Sequence, residues 1–182
     1  MAKAAGMDSA AILAACSDLQ APRGRMQLAG RTSDGSAVFV DYAHTPDALE
    51  NALTALRRHV PQGGRLLVMF GCGGDRDSGK RPQMGAIAAA HADMVFVTDD
   101  NPRREDAADI RAAIMAACPD ATEIGDRGGA IEAALAAAQA NDLVLLAGKG
   151  HESGQIIGDI ILPFDDLTMA QSLLASKGGH HA

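Results

Sequence analysis

The chain reads MVFVTDDNPR at residues 94–103, where a short apolar run passes directly into a polar loop. Four apolar residues in a row, two of them valine, are typical of a buried strand of a parallel sheet, and the Asn-Pro pair ends that strand. The loop then collects carboxylate, amide and guanidinium groups, on Asp99, Asp100, Asn101 and Arg103. These groups suit a ligand-binding loop, although they are also typical of a strand-to-helix turn in which Asp or Asn caps a helix near Glu105.

The composition is that of one globular domain with an aliphatic core. Hydrophobic residues make up 47% of the 182 residues but aromatic residues only 3%, so Ala, Leu, Ile, Val and Met must build the core, as in helices packed on a sheet. The net charge of −7 disfavours binding to nucleic acid or to an anionic membrane, because neutralising phosphates requires an excess of Lys and Arg. Any anionic ligand must therefore meet a local cluster of positive charges.

The cysteines and the hydropathy pattern indicate a reduced, cytoplasmic protein. The three cysteines are widely spaced and form no Cys-x-x-Cys pair, so neither a disulfide framework nor a zinc site is predicted. No apolar stretch approaches the roughly 20 residues that a membrane span requires. We therefore expect a cytoplasmic location, no membrane partner and no metal ligands in this chain.

The rest of the chain alternates strand-like and helix-like segments. Strands are predicted at residues 65–70, 92–98, 121–124 and 142–147, and helices at 46–60, 82–91, 106–118, 129–140 and 165–177. Two antiparallel hairpins are predicted nearer the ends, at residues 26–41 and 155–162, and a further helix at residues 10–16. The alternation predicts an α/β fold: a Rossmann-like, mostly parallel sheet with helices on both faces and short antiparallel hairpins at the N- and C-terminal ends.

Polar clusters follow four of the predicted strands. They lie at Asp41 to His44, Gly71 to Arg81, Asp99 to Arg103 and Gly148 to Glu152. Because ligands of open α/β sheets bind outside the carboxyl ends of the strands, these four clusters predict one composite site, although Gly and Asp are also ordinary turn residues. Within the second cluster, residues 74–81 resemble a P-loop, but Arg81 replaces the hydroxyl that would bind Mg²⁺, so we reject that interpretation.

Two residues of these clusters have the chemistry to hold the two ends of an amino acid. Arg103 presents a planar fork that fits a carboxylate, and Glu152 can hold an ammonium group, although it could also cap a turn. His151 could act as a base, but no Ser or Cys nucleophile pattern accompanies it, so we favour an orienting or capping role for this histidine.

The ordered motifs DYAHTPDAL, GGDRDSGKRP, DNPR and GKGHE resemble those of the Mur ligases; they begin at residues 41, 73, 100 and 148. The resemblance is to the C-terminal domain of that family and, within it, to the members that add meso-diaminopimelate. It implies that residues 1–22 are a remnant helix of a preceding central domain with its linker. Residues 23–177 would then be the amino-acid-binding domain, and residues 178–182 a disordered tail.

The resemblance implies an ATP-dependent amide ligase of peptidoglycan precursor synthesis, which phosphorylates UDP-N-acetylmuramoyl-L-alanyl-D-glutamate and joins meso-diaminopimelate to the acyl phosphate. It maps the diaminopimelate site onto Arg76, Asp100, Asn101, Pro102, Arg103, Gly148 and Glu152. It maps nucleotide contacts onto Arg25, Asp41 and His44.

The same resemblance places the P-loop and the Mg²⁺ ligands of the family in a central domain that this sequence does not contain. ATP and Mg²⁺ would therefore be held mainly outside this chain, and the chain would contain no catalytic residue of its own. We expect it to be inactive without the N-terminal and central domains of the same enzyme, with the segment from Ala21 to Gly24 as the hinge between them.

Two alternatives remain open at this stage. A lysine-adding ligase or a folylpolyglutamate synthase could share the domain, but an enzyme that handles lysine has no use for Arg103 at the carboxylate position. A non-catalytic nucleotide-binding or receiver-like module could also have this fold, since Asp99, Asp100 and Lys149 superficially fit a phosphoacceptor pocket. The surrounding arginines disfavour that second alternative.

Overall fold

The computed structural model describes residue 6, residues 8–17 and residues 22–181. Its helices are α1 (Ser9–Ser17), α2 (Pro46–Arg57), α3 (Lys80–His91), α4 (Ala107–Met115), α5 (Arg127–Ala137) and α6 (Asp166–Ser176). Its strands are β1 (Gln27–Arg31), β2 (Ala37–Asp41), β3 (Leu66–Phe70), β4 (Met94–Val97), β5 (Thr122–Glu123), β6 (Leu143–Ala147), β7 (Gly154–Ile157), β8 (Ile160–Pro163) and β9 (His180–His181). None of the helices within these ranges has the length and apolar character that crossing a membrane requires.

Seven of the described strands form one sheet, in the order β5-β4-β3-β6-β2-β1-β9. Strands β5, β4, β3, β6 and β2 are parallel to one another, and β1 and β9 add to the β2 edge in antiparallel fashion. Strands β7 and β8 form a separate antiparallel hairpin. The structure thus confirms the predicted Rossmann-like, mostly parallel sheet with antiparallel hairpins near both ends.

Helices cover both faces of the sheet. Strands β3 and β6 are buried along their whole length, as central parallel strands covered on both sides must be. On one face, α2, α3 and α4 bury side chains such as Leu53, Met84 and Ile114. On the other face, α5 and α6 bury Ile131 and Leu174. Because both faces are covered, a ligand reaches the sheet at the loops that follow its parallel strands.

Side-chain caps fix where four of the helices begin. Thr45 caps α2 and Pro46 occupies its first turn. Helices α4, α5 and α6 are capped in the same way by Asp106, Asp126 and Asp165. The loop after β4 does lead into a helix that an aspartate caps near Glu105, but the cap is Asp106 and not one of residues 99–103. Residues 99–103 remain available for another role.

The expectation of a disordered tail at residues 178–182 is wrong for the part that the structure describes. The last two described residues form β9, which pairs with the edge strand β1. Gly178 has a φ of 74° and reverses the chain after α6. Glycines followed by histidines carry no strand pattern, so the unpaired edge of β1 accounts for the pairing.

The end of the predicted linker is packed against the domain. Ala21 lies outside the described residues, as do residues 1–5, 7 and 18–20. Gly24 lies so close to Gly150 that a Cβ atom on Gly24 would be 2.2 Å from the carbonyl carbon of Gly150. A hinge in this segment would therefore have to lie before Gly24.

Candidate amino-acid-binding site

Four loops meet at the carboxyl ends of β2, β6, β3 and β4, which are neighbouring parallel strands. They surround a cavity of about 680 Å³. Most of the residues predicted to bind the amino acid line this cavity, namely Arg76, Asp100, Asn101, Arg103, Gly148 and Glu152. Pro102 is outside the lining, and its carbonyl oxygen packs on Gly74.

Glycines allow the loop after β3 to contact the loop after β4. A Cβ atom on Gly71 would lie 2.2 Å from the carbonyl oxygen of Thr98, and one on Gly74 would lie 1.9 Å from that of Pro102. Gly74 also donates a hydrogen bond of 2.9 Å to the carbonyl oxygen of Asn101. Side chains at these glycines would push the two loops apart and change the shape of the cavity.

The hairpin formed by β7 and β8 holds Arg103 by its backbone. The Arg103 amide donates to the carbonyl oxygen of Ile156 at 3.0 Å, and the Arg103 carbonyl accepts from the amide of Gly158 at 2.6 Å. Arg103 has a φ of 54°, a left-handed conformation that is uncommon outside glycine. Its Nη1 atom donates to the carbonyl oxygen of Gly74 at 2.8 Å. Within the described residues Nε and Nη2 make no hydrogen bond, so they can form the two parallel bonds that a carboxylate accepts.

Glu152 is oriented by the side chain of Asn101. Asn101 Nδ2 donates to Glu152 Oε2 at 2.9 Å, while Asn101 Oδ1 accepts from the Ile156 amide at 2.9 Å. Glu152 Oε1 makes no hydrogen bond within the described part of the chain, so it can accept one from an ammonium group. The cavity therefore offers a guanidinium edge and a carboxylate oxygen to the same ligand.

Lys149 joins these residues from outside the cavity lining, and sequence reasoning gave it no role in the amino-acid site. Its side chain is fully buried, and its Nζ atom donates to Asn101 Oδ1 at 2.9 Å and to the Gly154 carbonyl oxygen at 2.8 Å. In the sequence, Lys149 is marked by its place between two glycines directly after a strand and within the GKGHE motif, and neither of these predicts that it contacts Asn101.

A second buried cation, Arg127, ties two strand ends to α6. Its guanidinium donates to the carbonyl oxygens of Asp99 at 3.2 Å and Ala147 at 2.9 Å, at the carboxyl ends of β4 and β6. It also forms two hydrogen bonds, of 2.8 and 2.6 Å, with the carboxylate of Asp166. Burial lowers the pKa of Arg127, but the Asp166 carboxylate outweighs that effect and raises the pKa. Arg127 stays charged, and its removal would leave a buried carboxylate unpaired.

Three basic residues, Arg76, Lys80 and Arg81, lie just before or at the start of α3, and only the first two line the cavity. Lys80 Nζ also donates to the carbonyl oxygen of His44 at 2.8 Å, which links α3 to the loop after β2. Arg81 is buried and pairs with Glu105 at 2.8 Å. An anion bound by this loop would therefore contact Arg76 and Lys80.

Two of the three residues predicted to contact a nucleotide, Arg25 and His44, lie beside the ring of Tyr42. The Cζ atom of Arg25 lies 4.8 Å from the ring centroid, and the rings of His44 and His151 lie 4.4 and 4.8 Å from it. The Asp41 carboxylate accepts hydrogen bonds of 2.6 and 2.8 Å from two backbone amides. His44 lines the cavity, whereas Arg25 and Asp41 do not.

The geometry does not support the receiver-like alternative. Asp99 pairs with Arg111 of α4, and Asp100 Oδ1 lies 3.2 Å from Lys149 Nζ. Within the described ranges, no three His, Cys, Asp or Glu side chains converge in a way that could hold a metal ion. Asp99, one of the two candidate phosphoacceptors, is thus engaged by Arg111 of α4 instead of standing beside Lys149.

Comparisons with known proteins agree with this geometry. The family model "Mur ligase, glutamate ligase domain" matches residues 24–150. The UDP-N-acetylmuramoyl-L-alanyl-D-glutamate--2,6-diaminopimelate ligase of Caulobacter vibrioides is 54% identical over 175 residues, which cover 96% of this chain and 35% of that protein. The protein of the same name from Brucella melitensis is 51% identical over 181 residues, which cover 100% of this chain and 37% of that protein. A solved structure of a ligase of this name superposes with a TM-score of 0.81 at 41% identity, over 97% of this chain and 36% of the other.

The chain spans about a third of the length of these relatives and matches their C-terminal portion. The matched family region contains the four strands whose carboxyl ends surround the cavity, while Glu152 and the hairpin of β7 and β8 follow it. The fold, the order of the motifs and the family match agree. This chain therefore belongs to the Mur ligase family and contains its glutamate ligase domain.

Proposed function

We propose that this chain is the amino-acid-binding part of a cytoplasmic, ATP-dependent ligase that joins meso-diaminopimelate to UDP-N-acetylmuramoyl-L-alanyl-D-glutamate in peptidoglycan precursor synthesis. The observation that supports the proposal most is the presence of two complementary groups in one cavity, the unshared guanidinium edge of Arg103 and the unshared carboxylate oxygen of Glu152. An amino acid carries the two opposite charges. The names of the relatives supply the substrates.

The reaction that suits such a site is amide formation through an acyl phosphate. ATP transfers its γ-phosphoryl group to the γ-carboxylate of the D-glutamate residue. The neutral amine of diaminopimelate then attacks the acyl carbon, loses a proton, and the tetrahedral intermediate expels inorganic phosphate. The residues of this chain bind the other end of diaminopimelate and orient the attacking amine, which lowers the entropic part of the barrier.

Nucleotide binding would be shared between this chain and the rest of the enzyme. Asp41 can accept hydrogen bonds from ribose hydroxyls through its remaining lone pairs, and Arg25 and His44 can contact phosphate. The described residues contain no group of three or more His, Cys, Asp or Glu side chains that could hold a metal ion. In line with the resemblance of the motifs, we assign the ATP phosphates and Mg²⁺ mainly to the N-terminal and central domains of the same enzyme, and no catalytic residue to this chain.

Selectivity for diaminopimelate would come from its distal carboxylate. Diaminopimelate differs from lysine by a carboxylate beside the distal amine, and Arg103 can form two charge-assisted bonds with that group. Each such bond contributes about 1.5–3 kcal/mol. A site built around the carboxylate can reject a ligand that lacks it by around 10⁴-fold. A site that depends on this carboxylate disfavours a lysine-adding or folylpolyglutamate-type ligase.

A chimaeric ligase tests the proposal. We expect that replacing the matching third of the Caulobacter vibrioides ligase with this chain gives an enzyme that releases ADP when UDP-N-acetylmuramoyl-L-alanyl-D-glutamate and meso-diaminopimelate are supplied. L-lysine should be used at least about 10³-fold less well, because it offers Arg103 no carboxylate. The measurement is kcat/KM for each amino acid by coupled detection of ADP.

The unmodified Caulobacter ligase is the positive control, and the 182-residue chain alone should release no ADP in the same assay. Comparable use of lysine would contradict the proposed specificity. A folded but inactive chimaera would contradict the proposed equivalence of the two domains. Ligation by the chain alone would contradict the assignment of phosphoryl transfer to the other domains.

A further inference from the structure

Lys149 is fully buried, and it lies at the centre of the charged groups beside the cavity. Its three ammonium hydrogens are directed at Asn101 Oδ1 (2.9 Å), the Gly154 carbonyl oxygen (2.8 Å) and Glu152 Oε2 (3.5 Å). A buried ammonium group is costly unless it is paired and fully hydrogen-bonded, and Lys149 meets both conditions. It does not line the cavity, so its effect on a ligand must pass through its partners.

Lys149 and the backbone amide of Ile156 together fix which way the Asn101 amide points. Asn101 Oδ1 accepts from both Lys149 Nζ and the Ile156 amide, so the oxygen must face these donors. The Nδ2 group then faces Glu152, to which it donates at 2.9 Å. Without Lys149, the Ile156 amide alone would hold the oxygen in this orientation, so the amide would lose one of its two restraints and with it part of its fixed geometry toward Glu152.

Lys149 also balances the negative charge next to the cavity. The carboxylates of Asp100 and Glu152 both lie within 3.5 Å of its Nζ atom. The contact with Asp100 Oδ1 is an ion pair of 3.2 Å without hydrogen-bond geometry, and this buried oxygen makes no hydrogen bond among the described residues. One cation between two carboxylates leaves one negative charge, which suits a ligand with one ammonium group at this end.

We propose that Lys149 is a positioning residue for amino-acid recognition: it orients Asn101 and Glu152 so that Glu152 Oε1 accepts a hydrogen bond from the ammonium group of the ligand. The proposal rests on the proposed function and adds a residue to it that does not touch the ligand. It predicts that replacing Lys149 lowers only the part of the ligand's affinity that its amine contributes.

The test is a calorimetric titration of the 182-residue chain and of its Lys149→Met variant with three ligands. These are meso-diaminopimelate and the two enantiomers of 2-aminopimelate, each of which lacks one of the two amines. In the unsubstituted chain, the enantiomer without the amine held by Glu152 should bind at least about 10-fold more weakly than diaminopimelate. In Lys149→Met this difference should fall below about threefold, while diaminopimelate binds at least about 10-fold more weakly.

Lys177→Met is the matched control, because Lys177 is exposed, pairs with Glu132 on the surface at 3.1 Å and should leave all three affinities unchanged. A purely structural role of Lys149 would weaken all ligands in parallel and would overturn the positioning proposal while leaving the proposed function intact. No binding of diaminopimelate to the unsubstituted chain would overturn both. If Lys149→Met does not fold, Lys149→Arg takes its place, because arginine keeps the buried charge but displaces Asn101. The difference in affinity between diaminopimelate and the enantiomer of 2-aminopimelate without the amine held by Glu152 should again fall below about threefold.

Discussion

Arg103→Ala should lower kcat/KM for meso-diaminopimelate about 10²- to 10⁴-fold in the chimaeric ligase, with little change in the KM for ATP. The expected loss corresponds to two charge-assisted hydrogen bonds of about 1.5–3 kcal/mol each. The backbone of Arg103 is held by Ile156 and Gly158 of the hairpin, and alanine keeps those two hydrogen bonds. The decrease in kcat/KM should therefore come from loss of the guanidinium group. The measurement is steady-state kinetics in which the concentration of each substrate is varied in turn.

Two further variants distinguish a loss of amino-acid recognition from a general loss of enzyme activity. Arg104→Ala removes the neighbouring arginine, which is exposed and pairs with Asp159 at 2.7 Å, and it should leave kcat/KM within about twofold. Arg103→Lys keeps the charge but loses the planar fork, so its loss should be intermediate. If Arg103→Ala lowered kcat/KM equally for diaminopimelate and for ATP, Arg103 would not be the residue that selects the amino acid.

Arg127→Leu should destabilise the chain by about 3–5 kcal/mol, because it leaves Asp166 buried without its partner. Both side chains are fully buried, and the guanidinium also satisfies the carbonyl oxygens of Asp99 and Ala147. Those carbonyls end two strands that carry the site, so the variant should also weaken amino-acid binding. Urea-induced unfolding, followed by far-UV circular dichroism, measures the free energy of unfolding.

The exposed pair of Arg104 and Asp159 is the matched comparison, since Arg104→Leu should change the free energy of unfolding by less than about 1 kcal/mol. The double variant Arg127→Leu/Asp166→Leu should recover much of the stability lost by the single variant, because no unpaired charge remains. A loss below about 1 kcal/mol for Arg127→Leu would show that the buried pair does not support the strand ends in this way.

The fold and the position of the cavity could be predicted because their signals are local. Residues 94–97 form an apolar run that becomes β4, and the change to polar residues directly after Val97 marks the end of the strand. Once several such strands are taken as parallel, their loops must meet at one edge of the sheet. The structure places these loops together, although the sheet order, with β6 between β3 and β2, cannot be read from local patterns.

The two buried cations could not be predicted, because their partners are distant in sequence. Lys149 donates to Asn101 across 48 residues, and Arg127 pairs with Asp166 across 39 residues. A lysine between glycines and an arginine at the start of a helix are both usually exposed, so only the fold shows that these two side chains are buried. The pairing of β9 with β1 escaped prediction for a similar reason, since it depends on a free sheet edge rather than on the pattern of the last residues.

If the proposed function is right, this chain contains a formed site for an amino acid with a carboxylate and an ammonium group at its distal end. A calorimetric titration of the 182-residue chain with meso-diaminopimelate, and with L-lysine in parallel, tests this claim most directly. We expect saturable binding of diaminopimelate and binding of lysine that is at least about 10²-fold weaker. Equal binding of the two ligands, or no binding of diaminopimelate at millimolar concentration, would contradict it.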